Sequence, residues 1–224
     1  QGWTKFTSHL WYNTEDNGIA ALHYSPNEVT TKLGNDQTQV TIKEITEYPF
    51  NDRIQFNIQS SKPVSFPFHL RIPAWCKAAT ISLNGKPLKK EKGGQIVVIN
   101  RKWNSNDKLE LHLPMEVTTS NWGANSRTIE RGPLVYALKL SEKWEKGVDE
   151  KEGAYFSVFT DDAWNYGLVD AVIKNPAENV KVQKVTSATE SFVWNLAHAP
   201  IELKASAKKI PDWKIVHDIA LQPV

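Results

Sequence analysis

The sequence predicts an all-β protein made of antiparallel β-sandwich domains, with one short helix at its start. Three observations carry this expectation. After Gly18, apolar and polar residues alternate with period two along most of the chain. Turn residues interrupt the alternation at roughly ten-residue spacing, the rhythm of sandwiches and barrels. Helical spacing is confined to the opening segment, so no βαβ pattern supports a parallel sheet. A sandwich is the better fit than a closed barrel, although periodicity alone does not separate them.

In the opening segment Trp3, Phe6, Leu10 and Trp11 fall at i, i+3, i+7 and i+8, one stripe of a helix that TEDNG then stops. Such a stripe needs a partner, expected to be a helical domain upstream. GIAALHY is a short apolar run, and TQVTIKEI puts Val40 and Ile42 on one face. RIQFNIQ sets Ile54, Phe56 and Ile58 against Gln55, Asn57 and Gln59. SFPFHLRIP sets Phe66, Phe68, Leu70 and Ile72 against Pro67, His69, Arg71 and Pro73, and its prolines place this strand at an edge or beside a bulge. ATISLNGKPL turns at Asn84-Gly85, a strong hairpin pair. The basic run at 86–92 reads as a solvated hairpin loop. QIVVIN leads into a loop at 103–107. KLELHLPMEV gives the longest alternation, with Leu109, Leu111, Leu113, Met115 and Val117 pointing one way.

Residues 120–126 form a polar connection and the best boundary. The expected divisions are a terminal helix of an upstream domain (1–14), a first β-sandwich domain (15–119) and a second, C-terminally truncated β-rich domain (120–224). Within the last, RGPLVYALKL, FSVF, NVKVQKV, SFVWNL and PIELKASAKKI read as strands, and the charged stretch 142–153 reads as a loop.

Composition excludes several functions. A net charge of +2 over 224 residues provides no field for nucleic acid or anionic lipid. No apolar run approaches the ~20 residues of a membrane-spanning helix. One cysteine rules out an internal disulfide framework and a zinc site built on several thiolates. With neither an initiator methionine nor a signal peptide, the sequence reads as a fragment of something longer. Nine tryptophans stand out. Large aromatics fill sandwich cores and cap sheet edges; exposed, they stack on the C–H faces of sugars.

No active site assembles from the residues. Cys76 follows a Pro-Ala-Trp bend and reads as a small buried hydrophobe. His9, His23, His69, His112, His198 and His217 show no metal-ligand spacing, and no metal site is expected. Asp161 and Asp162 in FTDDAWNYG stand beside Trp164 and Tyr166, where they suit a turn better than a catalytic pair. The catalytic set expected of this chain is empty. Trp122, Trp164 and Tyr166, in polar, loop-like surroundings, are the candidate carbohydrate contacts.

Read in order, LRIPAWC, ISLNGKP, INRKWNSNDKLELHLPMEV, IERGPLVYALKL, AWNYGL and KKIPDWKIV resemble one family. They are similar to the C-terminal β-sandwich region of the β-L-arabinofuranosidase-like glycoside hydrolases, glycoside hydrolase family 127 and its relatives. The resemblance implies that an (α/α)-barrel precedes this region and carries a zinc-thiolate active site. There a cysteine attacks the anomeric carbon and a glutamate serves as acid/base. Cys76 matches none of those cysteines, so no catalytic or zinc residue transfers, and this chain is expected to hold no cofactor and to be inactive alone. NSND stands where the family's Pro-Gly-Asp turn is usual, and the strand expected after DIALQPV is missing. The resemblance further implies a bacterial, exported setting. The leading expectation is a noncatalytic accessory portion that supports the upstream catalytic helical domain or forms a homodimer. The alternatives are a carbohydrate-binding module using exposed Trp and Tyr, and a protein-interaction domain.

Overall fold

The structure, a computed structural model, describes residues 2–123, 125–185, 193–216 and 219–220. The chain divides into two compact units, Gln1–Glu116 with Gly132–Leu134, and Val117–Arg131 with Val135–Val224.

The first unit begins with helix α1 (Gly2–Thr7). Ten strands follow: β1 (Trp11–Asn13), β2 (Ile19–Ala21), β3 (Asn27–Leu33), β4 (Thr38–Thr46), β5 (Arg53–Ser60), β6 (Val64–Ile72), β7 (Ala79–Leu83), β8 (Lys86–Glu91), β9 (Gln95–Trp103) and β10 (Lys108–His112). They form a four-stranded sheet, β1-β2-β6-β9, and a six-stranded sheet, β3-β4-β5-β10-β7-β8. Period-two patterning gives each sheet one apolar face, and both faces contribute to a single core. Ile54, Phe56 and Ile58 of β5, Phe66, Phe68, Leu70 and Ile72 of β6, and Leu109 and Leu111 of β10 are all buried there. The expected all-β sandwich is what forms.

Four local expectations need correction. The helix covers only Gly2–Thr7 and buries nothing. Leu10 instead drops into the core, and Trp11 opens β1, its indole N–H donating to Asn27 Oδ1 at 2.6 Å. β6 is an interior strand despite Pro67. Its parallel ladder with the three-residue β2 begins at Phe68, one residue beyond the proline, so no bond to β2 is required of Pro67. Gly18 packs against this position so closely that a Cβ would lie 2.2 Å from the Pro67 carbonyl oxygen. The basic run is an edge strand rather than a loop. Lys86, Lys89 and Lys90 line β8, a charged edge that discourages further pairing. Finally, the KLELHLPMEV alternation is not one strand. β10 ends at His112 ahead of Pro114, and Val117 belongs to the second unit's core.

The turns follow their residue chemistry. Asn84 and Gly85 both have positive φ (51° and 76°), as a two-residue type I′ hairpin requires. Asn84 also reaches the 103–107 loop. Its Nδ2 donates to Asp107 Oδ1 at 2.9 Å, the Asn104 N–H donates to Asp107 Oδ2 at 2.9 Å, and the Asn84 side-chain oxygen accepts from the Lys108 N–H at 2.8 Å. Asp107 is buried, so Asp107→Ala strands two donors and is expected to destabilise the unit by about 2–3 kcal/mol. A fall in the urea midpoint at unchanged m-value is the readout.

The second unit contains β11 (Val117–Asn121), β12 (Arg127–Arg131), β13 (Leu134–Tyr136), β14 (Lys143–Asp149), β15 (Gly153–Phe159) and β16 (Tyr166–Leu168). After these come α2 (Asp170–Lys174), α3 (Pro176–Asn179), β17 (Val180–Lys184), β18 (Ile201–Ala205), β19 (Ala207–Lys209), β20 (Ile215–Val216) and β21 (Ile219–Ala220). β11-β12-β13 form a three-stranded sheet, and the pairs β14-β15, β16-β19, β17-β18 and β20-β21 form ribbons. Val117, Val172 and Val180 are the centre of its core, with Ile129, Leu168 and Leu203 packed around them. The stretch 142–153 is largely strand, because Trp144 and Val148 meet Val158 and Ala154 across the β14-β15 ladder. Residues 194–196 of SFVWNL are bend and turn, and Val193 is irregular, rather than strand; Ser191 and Phe192 lie outside the described residues, as does His217.

Candidate functional site

In the first unit, Cys76, His69 and His112 are each engaged by their surroundings. Cys76 is fully buried in the core beyond the Pro-Ala-Trp bend, where the Cys76 N–H donates to the Pro73 carbonyl at 3.0 Å. Burial pushes its thiol up, away from the reactive thiolate. His69 Nε2 lies 3.0 Å from Asp16 and His112 Nε2 lies 3.1 Å from Asp52, each pair on an outward sheet face. Among the described residues, no three His, Cys, Asp or Glu side chains converge as metal ligands.

Glu44 was not singled out in the sequence, yet it takes a core position on β4, in phase with Val40 and Ile42. Its carboxyl accepts from the Ser25 N–H at 3.0 Å and from Asn27 Nδ2 at 2.9 Å. Burial outweighs those two bonds and raises its pKa to about 8. Tyr24 nearby is pushed well up, chiefly by burial, and its hydroxyl donates to the Arg71 carbonyl at 2.6 Å. The signal was available in the sequence: a glutamate two residues after an inward isoleucine on an alternating strand.

The candidate aromatics all lie in the second unit. Trp164 is half-buried, its ring edge-to-face with Trp213 at 5.1 Å. Tyr166 begins β16 and is partly exposed, opposite Lys209. Asn165 between them ties the turn by donating to the Ile210 carbonyl at 2.8 Å. The adjacent acids are structural. Asp162 accepts from the Ser141 N–H at 2.6 Å, which lowers its pKa, and Asp161 pairs with Lys143. Trp122 stands apart on the β11–β12 connection, 74% exposed, with its indole N–H donated to Ser120 Oγ at 2.8 Å.

The two sheets of the first unit differ in their outer faces. On the six-stranded sheet, Lys43, Gln55, Asn57, Glu110 and His112 make a largely polar surface, with Ile45 its exposed apolar member. On the four-stranded sheet, Tyr12, Ala20, His69 and Val98 lie in one cross-strand row, with Ile96 beside it. Tyr12, Ile96 and Val98 are 41%, 54% and 40% exposed. Trp3 and Phe6 of α1 are exposed too, and Phe6 packs on His23 at 5.7 Å.

Comparison with known proteins accounts for this architecture. A GH127 β-L-arabinofuranosidase from Geobacillus stearothermophilus T6 shares the fold over 91% of this chain, at TM-score 0.53 and 19% identity. A protein described as a glycoside hydrolase does so over 88%, at TM-score 0.52 and 20% identity. The chain spans 32% of the length of each. No curated protein matches the chain. Residues 18–115 match the family model described as "Beta-L-arabinofuranosidase, GH127 middle domain". Residues 18–115, which hold most of the first unit, thus form a GH127-type middle domain, and the likeness of the rest of the chain to these enzymes is one of fold.

Proposed function

We propose that this chain is the noncatalytic β-sandwich portion of an arabinofuranosidase-like glycoside hydrolase, and that it braces a helical catalytic domain. The supporting observation is the contrast between the two outer faces of the first unit. The outer face of a sandwich in solution is mostly polar, as that of the six-stranded sheet is apart from Ile45. The four-stranded sheet instead presents Tyr12, Ile96 and Val98 to the outside, with Trp3 and Phe6 of α1 exposed as well. Covering a patch of standard size, about 800 Å² per partner, would hold two domains together. The share of its relatives' length that this chain spans leaves room for such a partner in the same enzyme.

The test has two parts. The isolated chain is expected not to hydrolyse an aryl arabinofuranoside, with or without zinc; zinc-dependent turnover would overturn the assignment. In the whole enzyme, Val98→Asp is expected to lower the melting temperature and weaken retention of the helical domain after limited proteolysis. In the isolated chain, where Val98 is 40% exposed, the same change is expected to shift stability by about 0.5 kcal/mol or less. Equal effects in both settings would remove the docking role.

The homodimer is the other supporting role, and the β14–β15 ribbon is the surface that favours it. Trp144, Val148, Phe156 and Val158 share one face of the ribbon and are 49–76% exposed, more apolar area than an isolated two-stranded ribbon normally leaves in water. Light scattering is expected to show a dimer that Val148→Lys converts to a monomer.

A further inference from the structure

The outer face of the β11–β12 hairpin carries an ordered polar cluster that neither the fold nor the bracing role uses. The register pairs Ser120 with Thr128 and Thr118 with Glu130. Thr118, Ser120, Thr128 and Glu130 therefore face one way, and Ile129 faces the core on the other side with Val117. On that outer face, Ser120 Oγ lies 2.6 Å from Thr128 Oγ1. Both hydroxyls reach Glu130 Oε1, at 2.5 and 2.9 Å. Trp122 closes the cluster by donating its indole N–H to Ser120 Oγ at 2.8 Å.

Two features of this cluster are unusual for a bare surface. A tryptophan left 74% exposed forgoes much of the hydrophobic gain from its burial, yet here its ring is tethered through Nε1 rather than left to swing. The tether is the first link of a chain that ends on a carboxylate. A carboxylate offers about four acceptor positions, and two are taken inside the cluster. The result is a flat apolar ring held beside a partly engaged carboxylate, a small number of placed polar groups around an apolar platform.

We propose that this hairpin face is a carbohydrate subsite. The Trp122 ring stacks on the C–H face of a sugar, and Glu130 accepts hydrogen bonds from its vicinal hydroxyls. The ligand class is a neutral oligosaccharide, because the Glu130 carboxylate repels uronic acids at the same position. The assignment rests on the hairpin's own chemistry and stands or falls separately from the bracing role. Trp122 is the first of the three aromatic candidates from the sequence; the polar partners come from the strand register.

The experiment follows the indole N–H resonance of Trp122 while a neutral arabino-oligosaccharide, and separately an oligogalacturonide, is titrated into the intact chain. A saturable shift with the neutral ligand and none with the charged one is expected. Trp122→Ala is expected to weaken binding about tenfold or more, from loss of aromatic stacking. Trp122→Phe should keep most of the affinity, since a ring remains. Glu130→Gln should weaken binding several-fold without changing which resonance moves. Because Trp122 is mostly in solvent, its two variants are expected to melt with the parent, which separates lost binding from lost folding. No shift of the Trp122 resonance with the neutral ligand, an affinity unchanged in Trp122→Ala, or an equal response to the charged ligand would each overturn the proposal. None of those results would bear on family membership or on the docking face.

Discussion

Trp103→Ala is expected to destabilise the first unit by about 3–5 kcal/mol, the loss usual for deleting a fully buried tryptophan. Trp103 has 0% exposure. Its ring stacks on Phe66 at 5.6 Å and meets Phe68 edge-on at 6.0 Å, and the Arg101 guanidinium sits 5.3 Å from its centroid. Its indole N–H donates to the Phe66 carbonyl at 2.9 Å. Truncation opens a cavity between the strands and leaves that carbonyl without its partner. Small domains are stable by only about 5–15 kcal/mol, so a loss of this size leaves little margin. Trp103→Phe refills most of the space but not the hydrogen bond, and should recover more than half of the loss. Denaturant titration with near-ultraviolet circular dichroism would measure both variants. A change below about 1 kcal/mol for the alanine variant would mean that the β6–β9 packing is not what holds this core.

The second large effect is a dependence of stability on pH that originates at Glu44. Its folded-state pKa is about 8 against an ordinary 4.5, and the main cause is burial. For an acid raised on folding, the native state keeps a proton that the unfolded chain releases. The contribution of this group to stability is therefore complete below pH 4.5 and declines as pH rises toward 8, beyond which the penalty is constant. At about 1.4 kcal/mol per pKa unit, the decline amounts to a few kcal/mol. Glu44→Gln removes the titration. At pH 5 the parent is protonated, and its hydroxyl oxygen can still accept from the second of the two donors, the Ser25 N–H and Asn27 Nδ2, whereas the amide nitrogen cannot, so the variant should be the less stable by ~1 kcal/mol. The order should reverse by pH 9, where the parent carries a buried charge. Unfolding free energies of both proteins at pH 5, 7 and 9 provide the comparison. A stability difference that stays constant with pH would show that Glu44 is not the titrating group.

Glu44 also shows how a buried acid can be accommodated without a cation. Its two partners are neutral donors, and Asn27 extends the network to the Trp11 indole N–H. This ties β1, β3 and β4 by polar contacts at the margin of an otherwise apolar core. Trp11 itself meets Phe56 at 5.9 Å and Phe68 at 6.0 Å, so the same side chain serves both the network and the packing.

The inward faces of β4, β5, β6 and β10 were legible in the sequence. In a half-buried strand the side-chain period is two, and a shift of one residue would move the whole apolar set into water. Asn84-Gly85 was legible for a comparable reason, since only such residues take two successive positive φ values without strain. Motif order, from LRIPAWC through KKIPDWKIV, pointed to the family, and the middle-domain match over 18–115 is in agreement.

What the sequence hid were properties that reside in a partner strand. β14 looks like a charged loop until Phe156 and Val158 stand across from it. Pro67 argues for an edge until β2 begins its ladder one residue later. Ser120, Thr128 and Glu130 are scattered letters until antiparallel register sets them on one face beneath Trp122. The sequence by itself determined which residues point inward, because that follows from local backbone geometry and the hydrophobic effect. Only the tertiary structure decided which strands are neighbours, and so which polar groups meet, because pairing joins residues that no local pattern connects.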